Sequence, residues 1–112
     1  MRTKDIFLVD LNPTKGAEIK KARPCIIVSN NNIGILPLKI VVPLIGYKDI
    51  HQNKSWLVAI EPSKVNNLSK KSTADTLNMH SVSDGRFIKK IGVISQEDYQ
   101  KLVIAMRIAL DI

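Results

Sequence analysis

Residues 12–23 of this 112-residue chain, Asn-Pro-Thr-Lys-Gly-Ala-Glu-Ile-Lys-Lys-Ala-Arg, gather side chains that could do chemistry together. Lys15, Glu18, Lys20, Lys21 and Arg23 fall inside nine positions. A carboxylate can take a proton, a guanidinium can hold a developing negative charge, and lysines can hold phosphates in place. Those residue types suit phosphate chemistry. A solvated hairpin has the same composition, and spacing alone leaves both readings open. Twelve residues without a clear period are long for a connection in a compact domain, and such connections tend to be functional or disordered. His51 lies beside Asp49 and Lys54 in a stretch that gives it no role, while His80 stands near the fifth apolar segment. Cys25 is the only cysteine, which excludes an intramolecular disulfide and a multi-cysteine zinc site. It reads as a small buried hydrophobe.

The whole chain shares the basic bias of that loop. Seventeen Lys and Arg against ten Asp and Glu give a net charge of +7. The pI of about 9.7 meets the electrostatic criterion for nucleic-acid binding. Further pairs stand at Lys70–Lys71 and Lys89–Lys90, although clusters of this kind are often only solvated faces. The few aromatics do not interleave with them as a stacking platform would. Apolar content of 45% and charged content of 24% are those of a globular protein, so a wholly disordered chain is excluded. The longest apolar run, residues 40–45, is far short of the ~20 residues of a membrane helix. An acid at Asp5 precedes any apolar stretch, which argues against a signal peptide. The expectation is one domain, with no membrane segment, in the cytoplasm.

The elements that must position these residues are mostly strands. Residues 5–11, 24–30, 39–45, 56–60, 74–82 and 88–94 each combine β-formers with bounding turn residues, which predicts six strands. Pro24 suits the first residue of a strand. Their spacing suggests a small antiparallel barrel or sandwich. The period then changes. Ser95 followed by Gln96, Glu97 and Asp98 is a helix N-cap with acids in the first turn, and Tyr99, Leu102, Val103, Met106 and Leu110 recur at helical spacing. The fold class expected is mainly β (α+β), with a C-terminal helix packed on the sheet.

Val9-Asp10-Leu11-Asn12-Pro13-Thr14-Lys15-Gly16-Ala17-Glu18, then Ala22-Arg23-Pro24, then Ile27-Val28-Ser29-Asn30 resembles the opening of the MazF/PemK toxins. Those typically read V-D-L-N-P-T-K-G-S-E, then R-P, then a strand ending V-S-N. Val41-Val42-Pro43-Leu44, Ser81-Val82, and Lys89-Lys90-Ile91-Gly92 followed by Ser95-Gln96-Glu97-Asp98 continue the likeness, whereas residues 46–71 match nothing. The resemblance implies an SH3-like barrel with a C-terminal helix, usually a homodimer. It implies an endoribonuclease toxin of a type II toxin–antitoxin pair that cuts single-stranded RNA without a metal or other cofactor. A ribose 2′-hydroxyl attacks the adjacent phosphate, leaving a 2′,3′-cyclic phosphate and a 5′-hydroxyl. The partner implied is an antitoxin whose acidic, disordered tail lies across the basic groove.

Carried over residue by residue, the family's catalytic arginine matches Arg23 and its loop acid matches Glu18. An arginine stays protonated, so Arg23 is assigned to charge stabilisation on the phosphate. Glu18 serves as base once RNA desolvates it. Lys15, Lys20 and Lys21 would contact phosphates, and Asn78 and Ser81 are candidates for polar contacts with RNA. Two positions depart from the pattern. Ile45 stands where many members have a threonine, which removes a hydrogen-bonding group. His80 stands where they have an RNA-contacting cation. Its substitution is either drift or a gain, since histidine titrates near neutrality and could do acid–base work. Trp56 reads as core or dimer packing. Ile45 also supports a rival reading, a barrel that binds RNA or an antitoxin without efficient cleavage. A gyrase-poisoning toxin of the same barrel is disfavoured, because residues 108–112 hold no aromatic.

Overall fold

The computed structural model describes residues 1–11, 22–33 and 35–112. The calls on Lys15, Glu18, Lys20 and Lys21 lie outside the described residues. Seven strands follow in order: β1 (Asp5–Asp10), β2 (Ala22–Ile27), β3 (Leu38–Gly46), β4 (Leu57–Ile60), β5 (Ser72–Asp75), β6 (His80–Ser83) and β7 (Phe87–Val93). The helix α1 (Gln96–Leu110) closes the chain. All ladders among the described residues are antiparallel, along the path β4-β5-β3-β2-β1-β7, with β6 also paired to β3. Among the described residues no ladder joins β4 to β7, so the expected barrel is a curled sheet left open at that seam. The mainly-β class with one C-terminal helix stands.

The fifth expected strand, residues 74–82, is two strands separated by a 3₁₀ turn over Thr76–Asn78. Both halves run along one edge of β3: Leu44 pairs with Ala74, and Val41 with His80. Pro43 of β3 explains the break. The Ile40 carbonyl accepts from Val28 on the β2 side, so alternation turns the nitrogen of Pro43 towards β5 and β6. That nitrogen has no hydrogen to give. The chain opposite leaves the ladder there. Its turn is held instead by the Asp75 carboxylate accepting from Leu77 N–H at 3.1 Å and by the Thr76 hydroxyl donating to the Trp56 carbonyl at 2.6 Å.

Period-two alternation sorts the sheet into two faces. One face buries Ile6, Ile26, Val42, Leu44, Val58, Ile60 and Ala74 against Leu102 and Ala105 of α1. The expected cap is present: the Ser95 hydroxyl accepts from Asp98 N–H at 3.1 Å. Tyr99 and Met106 pack against this core, but Leu110, last in the expected stripe, lies beyond the last buried turn and is exposed. The opposite face carries a smaller core of Val9, Cys25, Ile27, Val41 and Val82 with Phe7, Leu11 and Phe87 around it. Phe7 and Phe87 meet edge to face, with ring centroids 5.5 Å apart. That second face carries Arg23.

Candidate active site

Register places three residues side by side on this second face. Cys25 pairs with Pro43, the last pair of the β2–β3 ladder, and alternation carries Arg23 and Ile45, each two residues further along, to that same face. Ile45 in turn pairs with Thr73 of β5. Directly opposed residues project to the same face. Arg23, Ile45 and Thr73 therefore form a row across three strands: a guanidinium, an isoleucine without a hydrogen-bonding side chain, and a hydroxyl.

A cleft of about 300 Å³ lies at the ends of β2 and β3, beside Arg23 and Ile45. Arg23, Pro24, Ile45, Gly46, Ser69 and Lys70 are among its lining residues. Gly46 keeps room for Lys70, whose Nζ lies only 3.4 Å from where a β-carbon on Gly46 would stand. Lys70 stands on the face of Leu44 and Gly46, opposite to the face on which Arg23 and Ile45 project, so the two cations approach the ends of β2 and β3 from either side of the sheet. Beside Arg23, the Cys25 thiol is buried, and that burial pushes its pKa from 9.0 up to about 12, against a smaller lowering by the Arg23 charge. Cys25 is a neutral packing group, as its sequence position suggested, and takes no part in the chemistry.

The hydroxyl end holds a residue that the sequence left without a role. His51 sits in a 3₁₀ turn over Asp49–His51, and its Nδ1 lies 2.8 Å from Thr73 Oγ1. The Lys48 backbone N–H donates to the same Nδ1 at 3.1 Å. The His51 ring stands edge to face on Tyr47 at 6.1 Å, and Lys71 Nζ lies 3.9 Å from the Tyr47 ring centroid. Nothing local in the sequence signals the His51–Thr73 pair. The two are 22 residues apart and meet only because β5 lies beside β3.

The remaining expected residues scatter. His80 is exposed and shares the face of Arg23, but its partner Val41 is four residues along β3 from Ile45, roughly 13 Å at the usual rise of a strand. Its Nδ1 lies 2.7 Å from the Asn78 carbonyl, so it donates there and leaves Nε2 as the acceptor in the neutral ring. Asn78 is itself tied to Asp75 through a 2.5 Å bond from its side-chain amide. Ser81 follows His80 in β6, so alternation turns it to the other face. There it lines a separate groove of about 270 Å³ with Leu38, Ile40, Ile33 and Leu36. The structure brings Arg23 and Ile45 together and leaves His80, Asn78 and Ser81 apart from them. Among the described residues, no three of His, Cys, Asp and Glu come together as a metal site would require. No helix among them is long and apolar enough to cross a membrane.

Comparison with known proteins gives a consistent result. Residues 2–110 match the family model described as PemK-like, MazF-like toxin of type II toxin–antitoxin system. A curated relative, the endoribonuclease MazF9 of Mycobacterium tuberculosis, is 25% identical over 115 residues, covering 100% of this chain and 98% of its own. Among solved structures, a mycobacterial endoribonuclease in complex with its cognate antitoxin superposes with a TM-score of 0.78 at 19% identity, covering 100% of this chain and 96% of that one. A MazE–MazF complex from Deinococcus radiodurans superposes with a TM-score of 0.77 at 11% identity, covering 100% of this chain and 96% of the other.

Proposed function

The chain belongs to the PemK-like, MazF-like toxins of type II toxin–antitoxin systems, and on that premise we propose that it is an endoribonuclease that cuts single-stranded RNA at short sequences. The observation that carries the reading is the cleft at the ends of β2 and β3, which Arg23, Ile45 and Lys70 help to line. Arg23 directly follows the loop that holds Glu18 and three lysines, so a phosphate in the cleft has a general base and further cations within the same stretch of chain. In this mechanism the 2′-hydroxyl loses its proton to Glu18 and attacks phosphorus. The bond from phosphorus to the 5′-oxygen then breaks, and a proton returns to that oxygen. Arg23 holds the charge of the pentacoordinate phosphorane, where one well-placed donor is worth about 10²–10³ in rate. Lys15, Lys20 and Lys21 hold neighbouring phosphates, and Asn78 and Ser81 offer polar contacts. This chemistry calls for neither a metal nor another cofactor.

The acid–base work expected of His80 fits less well at the same phosphate, given its place four residues along β3. A contact to an adjoining nucleotide suits that position better. His80→Ala should accordingly weaken RNA binding a few-fold while changing the cleavage step by less than about tenfold, against the 10²–10³ of a lost transition-state donor. A cleavage rate that collapses with binding intact would restore the acid–base role.

The same reading gives the protein an antitoxin partner with an acidic, disordered tail that folds across the basic face, a homodimeric state and a cytoplasmic place of action. Ile45 favours one rival, a barrel that binds RNA or antitoxin with little turnover. Incubation with a long unstructured RNA in EDTA separates the two. Fragments ending in 2′,3′-cyclic phosphate and 5′-hydroxyl are expected. RNA that is bound, with steep salt dependence, yet left whole would establish the rival.

A further inference from the structure

Ile45 leaves a gap in the hydrogen-bonding surface of the row, and His51 lies over its edge. The Nδ1 of His51 faces two groups at once, and one of them, the Lys48 backbone N–H, can only donate. Nδ1 must then be the unprotonated nitrogen, and the Thr73 hydroxyl completes the pair by donating to it at 2.8 Å. With Nδ1 accepting, the neutral ring carries its hydrogen on Nε2. Thr73 is buried at 1% exposure and its hydroxyl is engaged, so it positions the imidazole, while half-buried His51 keeps an edge open. Ile45 is one strand spacing, about 5 Å, from Thr73, and Arg23 lies on the next strand with its side chain on the same face. Arg23 and the His51–Thr73 pair thus lie on one face, with the strand of Ile45 between them.

We propose that the Nε2–H of His51, held in that tautomer by Thr73 and the Lys48 backbone, is a hydrogen-bond donor to a non-bridging oxygen of the phosphate that Arg23 holds. This deepens the ribonuclease reading and rests on it. His51 is then a catalytic residue and Thr73 a positioning residue. In the reaction the 2′-oxygen–phosphorus bond forms, the phosphorus–5′-oxygen bond breaks, and no proton leaves Nε2. The imidazole stabilises the phosphorane as a neutral donor opposite the guanidinium, which supplies the hydrogen bond that Ile45 cannot make.

The test combines single-turnover cleavage with nitrogen NMR on histidine-labelled protein. His51→Ala should slow cleavage by about 10²–10³, the usual loss for one oxyanion donor, with RNA affinity nearly unchanged. His51→Gln, which keeps an amide N–H near the Nε2 position, should recover at least about tenfold of that loss. Thr73→Ser should behave as wild type, whereas Thr73→Val should yield a mixture of tautomers and an intermediate rate. Thermal unfolding of each variant reports whether the fold is kept. In the wild type, the His51 Nε2–H resonance should move when an uncleavable 2′-deoxy oligonucleotide binds. Wild-type fragments matched by equal cleavage from His51→Ala would overturn this proposal alone, as would a neutral ring protonated on Nδ1. Wild type that binds RNA without cutting it would overturn the ribonuclease reading and the catalytic role of His51 together.

Discussion

Arg23 and Cys25 are two positions apart on one strand face, yet burial gives them opposite parts. Arg23 stands at the strand's end beside a cleft, where a permanent charge can meet a phosphate. Cys25 lies under the second core, where ionisation is suppressed. The neutral thiol is favoured in the fold, so its contribution to stability is complete below the unfolded pKa of about 9 and is lost as pH rises towards about 12. Urea unfolding should therefore show wild type losing about 1 kcal/mol relative to Cys25→Ala between pH 8 and pH 10. A parallel pair of curves would place Cys25 in contact with water. Both readings rest on short stretches of sequence: the part proposed for Arg23 on its match to the family's Arg-Pro pair, and that of Cys25 on its setting among β-branched residues. His51 was illegible for the opposite reason. Its meaning depends on a threonine on another strand, and no local pattern encodes that meeting.

At the scale of elements, the helix was the most readable part. Its cap, first-turn acids and apolar spacing all lie within sixteen consecutive residues, 95–110. The fifth strand was misread because its interruption is written in Pro43 on the neighbouring strand rather than in its own residues. Outside the strand expected at 56–60, residues 46–71 give no pattern, and the order of their loops comes from contacts across the fold. Asn66 is buried and its side-chain oxygen accepts from Ser63 and Leu68 N–H, while its amide donates to the Glu61 carbonyl. This loop crosses β7 so closely that a β-carbon on Gly92 would lie 2.5 Å from the Asn66 carbonyl oxygen. Gly92→Ala must push the loop away and strain the bond from Val93 N–H to the Val65 carbonyl. A loss of about 1–3 kcal/mol is expected from the denaturation midpoint, as for other overpacked sites. An unchanged midpoint would mean that the loop can lift at no cost.

The whole molecule presents two unlike surfaces. One is cationic, around Arg23 and Lys70, and suits RNA or an acidic tail. The other is apolar: Ile33, Ile35, Leu36, Leu38 and Ile40 are all exposed, with Ile35 at 96%, around the groove that Ser81 lines. Five exposed aliphatic residues within eight positions are costly to leave in water, and a second copy meeting the same patch would cover both at once. In sedimentation, wild type is expected to give dimers and Ile35→Asp with Leu38→Asp to give monomers. Dimers that persist would move the interface elsewhere, with the exposed Ile104 and Ile108 of α1 the next place to look. The charge of +7 raises the expectation of a nucleic-acid partner without deciding it, whereas the separation of cationic from apolar surface needed the fold. The most direct test of the central claim is the single-turnover cleavage rate of RNA, in chelator, by wild type and by Arg23→Ala at protein concentrations that saturate binding. A loss of about 10²–10³ in rate with RNA still bound is the predicted result. Equal rates from the two proteins would contradict the assignment of the reaction to this cleft.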